Sequence, residues 1–335
     1  MSNLWYGILG FCLVAYFVLG GLDQGVAMLL PALRGDGERR AALNAIGPMF
    51  LGNEVWAVGA AGVLVAAFPR LDGELYGATY PAVIAIVLGL LALNAGVQLR
   101  SRGRRRAGFD ALIAASGLAL ALGWGLLLGV LLHGVPLDAG GHLHGFAPLK
   151  DPQVWFTGLA NVLLVLVHGA AFLVWRLDAG PARERMRRLV VRLGPAAGGV
   201  AVLVLGGWYL KAPAGIRHPV TGTVLALVIA LAVVAAGLAA KRLTATRGGG
   251  RVFAASAVAC ALPVLAAASA LFPAVLASTM DPGATVTVDD AAAGGETLRL
   301  LAIGAAPLIA VLVAVQAACW WLFRATGSRR TSLYW

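Results

Sequence analysis

The sequence predicts an all-α, polytopic integral membrane protein with about nine transmembrane helices, its N-terminus outside and its C-terminus cytoplasmic. Three observations carry this. Of the 335 residues, 60% are hydrophobic and only 12% are charged, against roughly 25% charged in a soluble domain. Nine apolar stretches reach the ~20 helical residues that a hydrocarbon core of ~30 Å requires. The basic residues gather in short clusters between these stretches, the arrangement that sets membrane topology.

The stretches run over residues 4–32, 44–68, 77–99, 110–133, 154–176, 189–210, 219–240, 252–273 and 299–323, and they form one transmembrane domain over 1–335. The first is apolar almost from Leu4, lacks a basic leader and continues to about Leu33. That is too long for the core of a signal peptide, so it reads as a retained helix. The second ends at Ala67-Phe68-Pro69 and the eighth at Leu271-Phe272-Pro273. Frequent Ala and Gly allow helix backbones to approach closely.

With the N-terminus outside, 21 of the 26 Lys and Arg residues fall on the inner side and 5 on the outer. The bias fixes the orientation and supports an odd number of helices. The net charge of +11 therefore reports topology rather than nucleic-acid binding. No Walker loop, dinucleotide fingerprint or paired-cysteine zinc site is present. Cys12, Cys260 and Cys319 lie in apolar runs and read as small buried hydrophobes. Trp and Tyr residues gather near the span ends as an interfacial belt. Two longer outer segments remain. Residues 134–153 neighbour His133 and contain His142 and His144, and 274–297 contain the alternating run from Ala284 to Asp289, a candidate short extended element.

Function must then reside in the helices. A carboxylate in hydrocarbon costs several kcal/mol and requires a reason. Asp23 stands late in the first helix, eleven residues before Arg34, or ~16 Å at 1.5 Å per residue. Glu54 lies in the second helix at ~15–20 Å, and Asn94 in the third at ~9 Å from the inner end. These groups, with Asn53, could form one polar cluster on adjoining helices. It reads either as a proton or cation relay open to the cytoplasm or as a buried clasp that pins the helices. His168, alone in mid-helix, reads as a structural residue. One embedded histidine makes a poor haem scaffold, because axial ligands come from facing helices.

Several runs together resemble subunit II of the cytochrome bd-type quinol oxidases. They are Gly21-Leu22-Asp23-Gln24-Gly25-Val26, Asn44-Ala45-Ile46-Gly47-Pro48, Gly52-Asn53-Glu54-Val55-Trp56 and Ala66-Ala67-Phe68-Pro69, with Leu271-Phe272-Pro273, Ser278-Thr279 and a final helix ending Trp320-Trp321. The resemblance spans nearly the whole chain and is most specific over 44–69. It implies that Gly25, Gly47, Pro48, Gly52, Trp56, Phe68 and Pro69 are structural motif residues. It also implies pairing with a homologous subunit I that carries haem b and haem d, no haem ligated by this chain, and room for a structural quinone or lipid. The expected setting is a bacterial inner membrane. The complex would oxidise quinol and reduce oxygen to water, with protons for water drawn from inside. Three positions that are usually charged in the family are uncharged here, at Leu51, Leu93 and Gln98. This puts the usual proton route in question, and restoring Asp at Leu51 tests whether that route is merely weakened. A proton- or cation-coupled transporter of a small solute remains the rival reading, and an assembly scaffold the third.

Overall fold

The computed structural model describes residues 1–103, 106–211 and 249–323. Among them are eight helices long and apolar enough to cross a membrane. The expected span at 219–240 lies outside the described residues, as do Arg324, Arg329 and Arg330.

Helix α1 (Ser2–Leu29) runs the length of the bundle and closes in a short 3-10 turn, Leu30–Ala32. Next comes α2 (Gly35–Ile46), an amphipathic helix with charge at one end and Ala42, Leu43 and Ile46 buried. The sequence places a span at 44–68, but the chain turns at Gly47 to Met49, and α3 occupies Phe50–Ala67. Pro48 supplies the reason, since it has no N–H to continue the ladder of α2. Helix α4 begins earlier than expected, at Pro69, and runs to Arg100. Proline suits a first helical position, where its missing donor costs nothing. The helix breaks at Thr79 (φ −119°, ψ 16°), two residues before Pro81, and Thr79 Oγ1 donates to Leu75 O at 2.6 Å.

Helices α5 (Arg106–His133), α6 (Pro152–Arg176), α7 (Pro181–Lys211) and α8 (Gly249–Leu271) follow. A cis peptide joins Phe272 to Pro273. Strand β1 (Ala274–Leu276) then pairs antiparallel with β2 (Val286–Thr287). The expected extended element at 284–289 is thus only two residues long. It gives way to α9 (Val288–Ala291), which Thr287 and Asp290 start with a capping box. The last helix is α10 (Gly295–Leu322).

Helix α1 contacts α3, α5, α6 and α8, and so forms the axis of the bundle. Glycines permit these contacts. A Cβ on Gly117 of α5 would lie 2.6 Å from Gln24 O of α1, and one on Gly125 of α5 would lie 2.8 Å from Gly158 Cα of α6. Helices α6 and α10 have similar mean hydropathy, 2.0 and 2.4, yet 78% of the apolar window of α6 is buried against 6% of that of α10. Helix α10 is fastened near its ends. Trp5 Nε1 donates to Leu298 O at 3.0 Å, and Ser2 Oγ bonds Asp289 just before the helix. Arg176 Nη1 donates to Phe323 O at 2.7 Å at its far end.

The loops define two rims. One carries Ser2, Asp289, the β1–β2 pair and the loop after α5, where Val135 N donates to Ala277 O at 2.9 Å. The other carries α2, the end of α4 and the start of α5, tied by arginine–carboxylate pairs. Trp208 bonds Leu132 O near the first rim, while Gly249 sits against Trp175 near the second.

Candidate functional site

Consecutive residues on a helix diverge by about 100°, so Asn53 and Glu54 of α3 face different neighbours. Asn53, fully buried, turns to α1. Its Nδ2 donates to Asp23 Oδ2 at 2.9 Å, and its Oδ1 accepts from Gln316 Nε2 of α10 at 2.8 Å. Glu54 turns to α4 and accepts a hydrogen bond from Asn94 Nδ2. Asn94 Nδ2 also donates to Leu90 O at 3.0 Å. The expected cluster therefore exists as two acid–amide pairs back to back on one turn of α3. Each keeps one buried carboxylate oxygen without a protein partner, Asp23 Oδ1 and Glu54 Oε1. A buried oxygen of this kind is costly unless it meets a proton or water.

The motif residues surround this turn. Gly25 lies against α6, where a Cβ would come within 2.8 Å of Gly169 Cα. Gly47 and Pro48 make the corner before α3. At Gly52, a Cβ would stand 3.2 Å from Gln316 Oε1. Trp56 packs edge-on against Phe11 of α1, with ring centroids 5.4 Å apart. Phe68 and Pro69 turn the chain from α3 into α4. Of the three positions where charge is absent, Leu51 is 60% exposed on the outer face of α3, Leu93 is buried, and Gln98 is exposed.

His168 is wholly buried and stacks on Phe253 at 5.1 Å. Its Nδ1 faces Ser256 Oγ at 2.8 Å and its Nε2 faces Val18 O at 3.0 Å. Both ring nitrogens are thus engaged. His133 faces Asp151, and His142 and His144 face Asp138. The hydrogen bond from His144, then the His142 backbone N–H, hold Asp138 well below the usual carboxylate range.

Sequence reasoning missed two features. Gln316 is an isolated amide in the apolar run Val313-Ala314-Val315-Gln316-Ala317, and that isolation was its only signal. The second is an ion cluster at the arginine-rich rim. Arg100, 2% exposed, bonds Asp110 Oδ1 and Oδ2 through Nε and Nη2, and Asp36 at 2.8 Å. Arg39 reaches Asp110 at 2.9 Å, and Arg106 reaches Asp36 at 2.6 Å. Partial desolvation opposes the charge on Asp36, but the hydrogen bond and charge of Arg100, then the charge of Arg106, outweigh it and keep the carboxyl below its usual range. Glu38 bonds Arg185 of α7. Helix α2 is thereby strapped across α4, α5 and α7.

Fold and site together define a multi-pass helical membrane protein with two acid–amide pairs, one buried and one partly buried, between its first helices. The chain belongs to the cytochrome bd terminal oxidase subunit II family, whose model matches residues 1–323. It is 28% identical to the cytochrome bd-I ubiquinol oxidase subunit 2 of Escherichia coli (strain K12), covering 95% of this chain and 93% of that one. It is 26% identical to the cytochrome bd ubiquinol oxidase subunit 2 of Bacillus subtilis (strain 168), covering 98% of each. The bd oxidase of Geobacillus thermodenitrificans shares the fold, with a TM-score of 0.73 at 20% identity over 96% of this chain and 98% of the other.

Proposed function

We propose that this chain is the subunit of a bd-type quinol oxidase that ligates no haem, supports a homologous haem-bearing subunit I, and admits protons from the cytoplasm for the reduction of oxygen. Family membership supports the oxidase assignment. The proton role rests on one observation: Asp23 and Glu54 are seated on adjoining helices, each held by an amide and each with a buried oxygen left open. A buried carboxylate oxygen without a protein partner is costly unless a proton or water meets it.

The rim bearing Arg34, Arg39, Arg100 and Arg185 would face the cytoplasm, by the positive-inside bias. Haem, held by the partner, would supply the redox chemistry. This chain's residues would hold a proton at Asp23 Oδ1 or Glu54 Oε1 and exclude bulk water around it. Both nitrogens of His168 being occupied supports placing the iron ligands in subunit I. A structural quinone or lipid against the apolar helices accords with the same reading.

The test is oxygen consumption by the purified two-subunit complex. Glu54→Gln and Asp23→Asn keep the shape of each pair and remove the titrating group. Turnover falling at least tenfold per assembled complex is expected. Normal turnover per complex with reduced assembly would overturn the proton role and leave a clasp.

A further inference from the structure

Asp23, Asn53 and Gln316 form a chain of three buried groups across α1, α3 and α10. An amide's oxygen and nitrogen exchange places on a half-turn, so such a chain has a polarity that its ends decide. With Asn53 Nδ2 donating to Asp23, Asn53 Oδ1 must accept from Gln316 Nε2. That leaves Gln316 Oε1 3.2 Å from Gly52 O, acceptor against acceptor. It also leaves Gln316 Nε2 3.2 Å from Trp320 Nε1, donor against donor. Turning Gln316 alone repairs both contacts, since Nε2 then donates to Gly52 O and Trp320 Nε1 donates to Oε1. It also sets Gln316 Oε1 2.8 Å from Asn53 Oδ1, which is again repulsive. Asn53 must therefore turn as well, and its Oδ1 then faces Asp23 Oδ2. That contact is a hydrogen bond only when Asp23 carries a proton and donates it.

We propose that Gln316 is a positioning residue for Asp23, and that the Asn53–Gln316 amide pair reverses when Asp23 gains or loses its proton. With Asp23 ionised, Asn53 donates to it and Gln316 is mismatched at Gly52 and Trp320. With Asp23 protonated, every contact in the chain is donor to acceptor. No covalent bond in the amides changes; the proton is exchanged between Asp23 and water alone. Glycine at 52 leaves Gln316 the space to reach that carbonyl. Gln316 of α10 thus bonds both Asn53 and Gly52 O of α3 when Asp23 is neutral, and Asn53 alone when Asp23 is charged. The other titratable groups near Asp23 are Glu54 on α3 and Tyr16 on its own helix, while His168 on α6 lies by Gly21 with its ring nitrogens turned to Ser256 and Val18. The inference rests on the reading that Asp23 changes protonation in turnover.

Infrared difference spectra of the intact two-subunit complex test it, in the carbonyl region of neutral carboxylic acids. A band lost in Asp23→Asn identifies Asp23. That band should shift in Gln316→Leu, which removes the far end of the chain, and should shift less in Trp320→Phe, which keeps Gln316. Trp320 fluorescence should also change with pH in the wild type and become pH-independent in Asp23→Asn. An Asp23 band identical in wild type, Gln316→Leu and Trp320→Phe would overturn the proposal. Fluorescence titrating equally in Asp23→Asn would do the same. If Gln316→Leu fails to assemble, Trp320→Phe and the fluorescence titration still decide. Normal turnover in Asp23→Asn with the band shifts intact would refute proton entry while leaving the amide reversal standing.

Discussion

Gly25 of α1 and Gly169 of α6 meet backbone to backbone: a Cβ on Gly25 would lie 2.8 Å from both the N and the Cα of Gly169. No side chain fits between them, and the crossing fixes α1 two residues from Asp23. Gly25→Ala or Gly169→Ala forces the helices apart. Overpacking of this kind costs ~1–3 kcal/mol. The expected outcome is a lower melting temperature of the detergent-solubilised complex and a weaker yield. An unchanged melting temperature in both variants would show that the crossing relaxes freely.

The Arg100–Asp110 pair is nearly sealed, with side chains 2% and 8% exposed. Removing one partner of a buried pair costs up to ~3–5 kcal/mol, and in Asp110→Asn the buried Arg100 keeps only the half-exposed Asp36. Asp110→Asn should therefore destabilise the protein severely. Asp36→Asn, whose carboxylate is 38% exposed, should cost only ~0–1 kcal/mol. Thermal denaturation of the two variants side by side measures the difference, and equal losses would contradict the assignment of the clamp to Asp110.

His168→Ala removes the ring contact to Val18 O, which keeps its helical partner, and leaves Ser256 Oγ with its bond to Phe253 O at 2.8 Å. Loss of a buried hydrogen-bonding group costs ~1–3 kcal/mol. The complex should be less stable, yet the visible haem spectrum per assembled complex should be unchanged. Disappearance of one haem band from assembled complex would make His168 a ligand after all.

The loop after α5 is organised by Asp138, which accepts from Gly140 N and His142 N at 2.9 Å each and faces His144 Nε2 at 2.8 Å. Its carboxyl is depressed in the folded loop. The contribution is therefore present above the ordinary aspartate value of ~3.9 and is lost as pH falls through the lower folded value. Amide exchange at His142 should stay slow from neutral pH down to about 4. Asp138→Asn should accelerate it at neutral pH.

Much of this architecture follows from the sequence alone. Hydropathy and the arginine bias specify a multi-pass helical protein, because hydrocarbon accepts only backbone whose hydrogen bonds are internally satisfied. The isolated acids Asp23 and Glu54 mark the site for the same reason, since an unexplained carboxylate in an apolar run is conspicuous. Pairing was not legible. Nothing in the order of residues shows that Asn53 serves Asp23 while Asn94 serves Glu54, or that Gln316, 263 positions beyond Asn53, closes the chain. Nor does hydropathy separate α6 from α10, which are equally apolar although one is the core and the other is mostly exposed. Arg100 reads in sequence as one more topological charge, and only the fold turns it inward onto Asp110. Composition determines which segments leave water. Which faces then meet is decided by close approach at glycines such as Gly25 and Gly169, and by the need of each buried polar group to find a partner within a few ångströms.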